Sequence, residues 1–214
     1  MAERTQPDAS AARRLSTGAL LLRIAAHAGA LAPLAYLLWQ TLTGGLSFDP
    51  IHDLTLRTGK PAFILLLLSL AARPAVVVTG VTALRPLART LGLYAFGYAT
   101  IHMLIFVGLD FGFRWDLIVG GVLEKRYAVI GLATFLILLT LAATSTRKAA
   151  RRLGALWKRL HRLAYAAGVL ATLHYLWAVK FITFEQWAYA VVLALLLVAR
   201  LPEVEGRIRR SRSE

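Results

Sequence analysis

Along the chain, apolar positions gather into six stretches, residues 18–42, 59–72, 87–109, 127–144, 163–179 and 186–201, separated by short charged connections. Most approach the roughly 20 residues an α-helix needs to cross about 30 Å of hydrocarbon at 1.5 Å per residue. The pattern therefore predicts an all-α integral membrane protein, a six-helix transmembrane bundle. The stretch at 59–72 is short. It predicts a helix that crosses by letting Arg57, Lys60 and Arg73 snorkel to the two surfaces. The first stretch is too long for a signal peptide and has no small-residue cleavage site before the next charges.

Between and around these stretches the chain is polar. Residues 1–15 and 203–214 read as charged, mobile tails, leaving 16–202 as the transmembrane domain. The connection "STRKAARRLGALWKRL" (145–160) predicts a short amphipathic surface helix with Leu153, Leu156, Trp157 and Leu160 towards lipid. No internal repeat and no separate soluble domain stand out.

Composition sharpens this picture. Of 214 residues 58% are hydrophobic, and the mean hydropathy is +0.62, well above a soluble domain of this length. Cysteine is absent, which excludes disulfides, iron–sulfur clusters and thiolate-held metals and leaves histidine as the main protein ligand for a metal. The net charge of +14 would suggest nucleic acid in a soluble protein. Here the cations lie between apolar stretches, so they point to the surface of a lipid bilayer and not to nucleic acid.

Their distribution sets an orientation. Nineteen of the 25 Lys and Arg residues fall at the N-terminus, in the 73–89 and 145–162 connections and at the C-terminus, from Arg4, Arg13, Arg14 and Arg23 to Arg209, Arg210 and Arg212. The alternate connections hold Arg57, Lys60, Arg114, Lys125, Arg126 and Lys180. Both termini are predicted cytoplasmic. The aromatics Trp39, Phe111, Phe113, Trp115, Trp177, Phe181, Phe184 and Trp187 form a belt at the other face.

Histidine in lipid is costly, so its placement carries information. On the third stretch His102 lies about 10 Å from the outer end, and on the parallel fifth stretch His174 lies about 8 Å from it. Two histidines at matching depth on parallel helices can clamp a haem b from both faces. His161 lies about 20 Å further in, at the cytoplasmic edge, where it could serve a second haem. Thirteen residues turn a helix by about 220°, so His161 and His174 do not share a face unless Gly168 permits a kink. Met103 sits about 100° around the helix from His102 and is the poorer ligand. His27 reads as a hydrogen-bonded interior residue, with a ligand role opposite His161 as the alternative, and His52 as a solvated loop residue. The cations Arg151, Arg152, Lys158, Arg159 and Arg162 beside His161 serve as a topology signal, or hold haem propionates or an FMN phosphate.

At these residues the chain resembles a known family. "RLHRLAYAAGVLATLHYLWAVK", "LGLYAFGYATIHM", "AHAGALAPLAYLLW" and "TGKPAFILLLLSLAARP" are similar to MsrQ (YedZ), the haem-binding membrane subunits of the bacterial periplasmic methionine sulfoxide reductase system. The resemblance implies a ferric-reductase-like transmembrane fold in the inner membrane, b-type haem, and FMN. It implies electrons taken from the quinone pool or a cytosolic flavin reductase and passed to a periplasmic molybdopterin partner, MsrP, for repair of oxidised proteins. The family's haem-associated histidines fall on His102, His161 and His174. The wider superfamily has a further histidine one span before the helix-three ligand. Arg89 stands there, which leaves the ligand set of an inner haem incomplete and the haem count at one or two. No pyridine-nucleotide segment is visible, so direct use of NAD(P)H is not implied.

Two other functions remain at this point. One is a stand-alone ferric or quinone reductase. The other is a small proton-coupled transporter whose histidines relay protons, which would more naturally carry repeats or broken helices.

Overall fold

A computed structural model of the protein describes residues 9–179 and 181–211, and these form helices joined by short turns. Among the described residues six helices build the bundle: α1 (Ala9–Leu42), α2 (Pro50–Thr79), α3 (Arg85–Leu104), α5 (Arg126–Ala143), and the pair α8 (Leu163–Trp177) and α9 (Phe184–Val198). Shorter pieces connect them: α4 (Trp115–Glu124), α6 (Arg147–Leu153), α7 (Ala155–Leu160) and α10 (Pro202–Ser211).

Among the described residues four segments are long and apolar enough to cross a membrane, at Thr17–Leu42, Pro50–Thr79, Thr82–Asp110 and Arg126–Ala143. A fifth follows if α9 is taken together with Pro202–Ile208, which is bent from it by 81°. At 15 residues each, α8 and α9 are about 22 Å long and fall short of the hydrocarbon thickness on their own.

The second helix departs most from the sequence expectation. It runs over 30 residues and not 59–72. Pro50 opens it, where a missing N–H costs nothing, and the Asp49 carboxylate caps it by accepting from the His52 N–H at 3.1 Å. His52 is solvent-exposed but belongs to this first helical turn, not to a loop. The charges that read as span ends lie inside the helix because each has a partner. Arg57 meets Asp53 at 2.8 Å, Lys60 meets Glu185 at 2.5 Å, and Arg73 meets Glu205 at 3.0 Å. Helix α2 ends at Gly80, whose φ of +75° and N–H to the Val76 carbonyl make a left-handed cap.

The chain ends also differ from free tails. Residues 9–15 already belong to α1, and 1–8 lie outside the described residues, as do Arg4, Lys180 and Arg212. Residues 202–211 form α10, whose Glu205 is buried against α2 through Arg73. The surface segment 145–160 is two helices, not one, broken at Gly154, where φ of +52° stops the first.

Packing is closest between α2 and α3 and between α5 and α8. The centre holds Ala30, Leu65, Leu66, Leu87, Leu91, Ala95, Tyr98, Leu138 and Ala167. Ala95 and Ala167 are wholly buried, and small residues at such crossings let helix backbones approach, the main source of attraction between helices in lipid. Tyr98 spans to α1, donating its hydroxyl to the Ala30 carbonyl at 2.8 Å, and Ser69 joins α2 to α3 through the Ala88 carbonyl at 2.6 Å. Gly168 lies within an unbroken α8. A Cβ there would come within 2.9 Å of Leu70 and 3.2 Å of Leu193.

The alternation of helices gives the bundle two chemically distinct ends. One carries the α2–α3, α5–α8 and α9–α10 connections and most cations, and is called the basic end below. The other carries exposed Trp39, Phe113, Trp115, Trp177, Phe181, Phe184 and Trp187. Phe111 is the member of the expected belt that turns inward, packing on Phe106 with ring centres 4.8 Å apart.

Candidate haem site

Two histidines meet near the aromatic end. His102 occupies the last turn of α3 and His174 the last turn of α8. After His102 the backbone widens into a π-helical turn, Ile105–Asp110, a distortion that often accompanies functional sites. The two ring centres stand 6.2 Å apart, with planes at 84°.

Each ring is tied to a neighbouring backbone. Nδ1 of His102 lies 3.0 Å from the Thr55 carbonyl on α2, and Nδ1 of His174 lies 2.8 Å from the Tyr127 carbonyl on α5. A carbonyl can only accept, so each Nδ1 carries the proton and donates it. That leaves Nε2 on each ring as the basic nitrogen, the usual state of a metal-binding imidazole.

Whether a haem fits can be judged from these distances. A metal–imidazole bond of about 2.0 Å plus about 1.1 Å from nitrogen to ring centre puts two trans imidazoles about 6 Å apart. The observed separation suits one iron between the rings. Among the described residues no group of three or more His, Cys, Asp or Glu gathers as a metal site. A pair of histidines can complete the coordination of an iron whose other four ligands a macrocycle supplies. The residues present fit the group.

His161 lies elsewhere, in the turn between α7 and α8 at the basic end. Its ring stacks on Trp157 with centres 4.0 Å apart at 26°, and its Nε2 sits 3.2 Å from the Thr144 hydroxyl. Trp157 in turn donates its indole N–H to the Thr144 carbonyl at 3.0 Å. Burial holds the His161 pKa below the ordinary histidine value, against an opposing hydrogen bond at Thr144. His27 pairs with Tyr94, Nδ1 to hydroxyl at 2.8 Å. Neither His27 nor His161 makes a ring contact with another histidine, so the structure does not bring those two together.

The cations near His161 are exposed. Arg152 joins Lys148, Thr146, Ala149 and Leu153 in lining an open groove of ≈ 410 Å³. Arg151, Lys158, Arg159 and Arg162 are exposed and lie outside that lining.

Three participants had no clear sequence signal. The acceptors at Thr55 and Tyr127 are backbone carbonyls, which every residue has. Arg200 read only as one more topology cation. In the fold it bonds the Leu70 carbonyl and the Tyr165 hydroxyl and lies 4.7 Å over the Tyr165 ring, joining α9 to α2 and α8 at the basic end.

Comparison with known proteins agrees with this architecture. Residues 58–172 match the family described as ferric reductase like transmembrane component, a span that takes in His102 and His161 and stops two residues before His174. The protein-methionine-sulfoxide reductase heme-binding subunit MsrQ of Xanthomonas axonopodis pv. citri is 40% identical over 190 residues, covering 86% of this chain and 87% of that one. The MsrQ of Rhodospirillum rubrum is 40% identical over 192 residues, covering 89% and 92%. With identity of this level along most of both chains, and a matching domain across the bundle, the protein is a multi-pass inner-membrane protein and belongs to the MsrQ family.

Proposed function

We propose that this protein is the haem-binding membrane subunit of a methionine sulfoxide reductase system and conducts electrons from the basic end of the bundle to the aromatic end. The observation that carries this is the opposed pair His102 and His174, each with Nδ1 held by a backbone carbonyl and Nε2 left to ligate. A b-type haem bound there supplies a one-electron couple. The chain's residues orient the two ligands, exclude water from the site and fix its depth. The MsrQ relatives are named as heme-binding subunits of a protein-methionine-sulfoxide reductase, which supports the haem part of this reading.

The orientation follows from charge. Lys and Arg concentrate at the basic end, which is taken as cytoplasmic with both termini, and the aromatic end as periplasmic. Six spans result when α8 and α9 are counted with their flanking turns. Electrons then enter near His161, from a quinol or a cytosolic flavin reductase, and leave near His102 and His174 towards a periplasmic molybdopterin partner of the MsrP kind. The groove at Lys148 and Arg152 has the charge to hold an FMN phosphate or a haem propionate. Among the described residues the aromatic end offers no nucleophile–base pair, so we assign sulfoxide reduction to the partner.

A dithionite-reduced minus oxidised spectrum of protein expressed with ample haem tests the reading. Sharp bands of a low-spin b-type haem are expected. A featureless trace would remove it.

A further inference from the structure

The two histidines are seated in the same manner on two different helix pairs. His102 donates to the carbonyl of Thr55, 47 residues before it, and His174 to the carbonyl of Tyr127, also 47 residues before it. Four residues after each acceptor stands a glycine, Gly59 on α2 and Gly131 on α5. A Cβ on Gly59 would lie 3.0 Å from Cε1 and 3.1 Å from Nδ1 of His102. On Gly131 it would lie 2.8 Å from both Cε1 and Nδ1 of His174.

Helix geometry explains why the glycine stands at that spacing. The carbonyl of residue i already accepts the N–H of residue i+4, and it keeps a second lone pair for a donor from the side. The Cα–Cβ bond of residue i+4 tilts towards the helix N-terminus, over that carbonyl. Any side chain at i+4 therefore occupies the space from which a neighbouring ring would approach. Glycine leaves it open. The coincidence of acceptor, spacing and close ring contact occurs twice, on the two most closely packed helix pairs of the bundle.

We propose that Gly59 and Gly131 are positioning residues that uncover the Thr55 and Tyr127 carbonyls for His102 and His174, and so set the orientation and donor strength of the two haem ligands. The proposal rests on the reading that these histidines hold a haem. An imidazole whose Nδ1–H is strongly accepted is the better electron donor to a metal, so losing that bond should weaken ligation and favour the reduced haem.

The test uses purified, haem-loaded full-length protein carrying Gly59→Ala, Gly131→Ala or Gly97→Ala. Gly97 lies on α3 five residues before His102 and has no atom within 4 Å of an added Cβ. Alanine is the better helix former, so propensity alone would leave all three as stable as the parent or more so. The readouts are the low-spin signal in electron paramagnetic resonance, the near-infrared circular dichroism of bis-histidine haem, and the midpoint potential. Partial conversion to high-spin haem and an upward shift in potential are expected, larger for Gly131→Ala than for Gly59→Ala and absent for Gly97→Ala. Parental signals in both notch variants would overturn the proposal, as would changes equal to those of Gly97→Ala. If Gly131→Ala does not accumulate in the membrane, Gly59→Ala measured against Gly97→Ala decides. Low-spin haem that persists in His102→Ala and His174→Ala would remove the haem assignment itself. Its loss there beside silent glycine variants would remove the notch proposal alone.

Discussion

The rings of His102 and His174 stand 6.2 Å apart with their planes nearly perpendicular, each hydrogen-bonded to a different helix. Neither ring depends on the other for its placement, since α2 holds one and α5 the other. Replacing either histidine with alanine should therefore leave the bundle inserted but remove one of the two rings proposed to hold the haem. Changes in outer-shell partners alone typically cost about 10–100-fold in metal affinity, so loss of a ligand should reduce retained low-spin haem at least about tenfold. Visible spectra normalised to inserted protein give the check. Unchanged low-spin spectra in both variants would sink the assignment.

At the basic end the stacked pair Trp157 and His161 should respond to pH. Burial lowers the His161 pKa from 6.5. The unfolded turn thus binds a proton more readily than the folded one, and the contribution of the neutral ring to stability is complete above about 6.5. It falls away as pH drops below that value towards the lowered folded pKa. An imidazolium formed against the indole also quenches tryptophan emission, so wild type should lose fluorescence over that window while His161→Gln stays flat. Identical titrations would show that Trp157 does not sense His161.

Arg200 holds three helices through one guanidinium. Its contacts to the Leu70 carbonyl and the Tyr165 hydroxyl use two nitrogens of a rigid fork, which lysine cannot reproduce. Arg200→Leu and Arg200→Lys should each destabilise by about 1–3 kcal/mol, lowering the apparent Tm in detergent by roughly 2–12 °C for a chain of this size. Full rescue by lysine would argue that charge alone matters there.

The sequence carried the depth of the histidines because depth depends only on helix rise and on where the apolar stretch begins. His102 and His174 could be matched without knowing any contact. The limits of α2 were another matter. Arg57, Lys60 and Arg73 read as the edges of a span because their partners could not be identified, and two of those partners, Glu185 and Glu205, are more than 120 residues away. The break at Gly154 was equally hidden, since an amphipathic pattern continues through it. The carbonyls of Thr55 and Tyr127 leave no trace in residue type at all. The glycine four positions after each was in the sequence, but its meaning needed the ring beside it.

The exposed cations of the basic end should matter for electron entry and not for haem binding. Neutralising Arg152, Lys158 and Arg159 together is expected to slow haem reduction by a quinol or reduced flavin, and more so at low ionic strength, because exposed charges are screened by salt. Reduction by dithionite should stay at the parental rate, since that reagent needs no docking site. Equal rates with the quinol or flavin donor would reduce the cluster to a topology signal.

Electron exit should require a second protein. The aromatic end presents exposed Phe113, Trp115, Phe181 and Phe184, and the exposed ion pair Arg114–Asp116 is held at 3.0 Å at the start of α4. None of these can reduce a sulfoxide, whereas His102 and His174 lie close beneath them, about 10 Å in by helix rise. Contacts between redox partners are commonly small and short-lived, so a stable complex is not needed for transfer. In proteoliposomes reduced from the basic side, a molybdopterin methionine sulfoxide reductase together with a sulfoxide peptide should reoxidise the haem, and neither component should do so alone. His102→Ala and His174→Ala should abolish that reoxidation. Reoxidation by ferric chelates or quinones but not by the reductase and its substrate would instead make the protein a reductase in its own right.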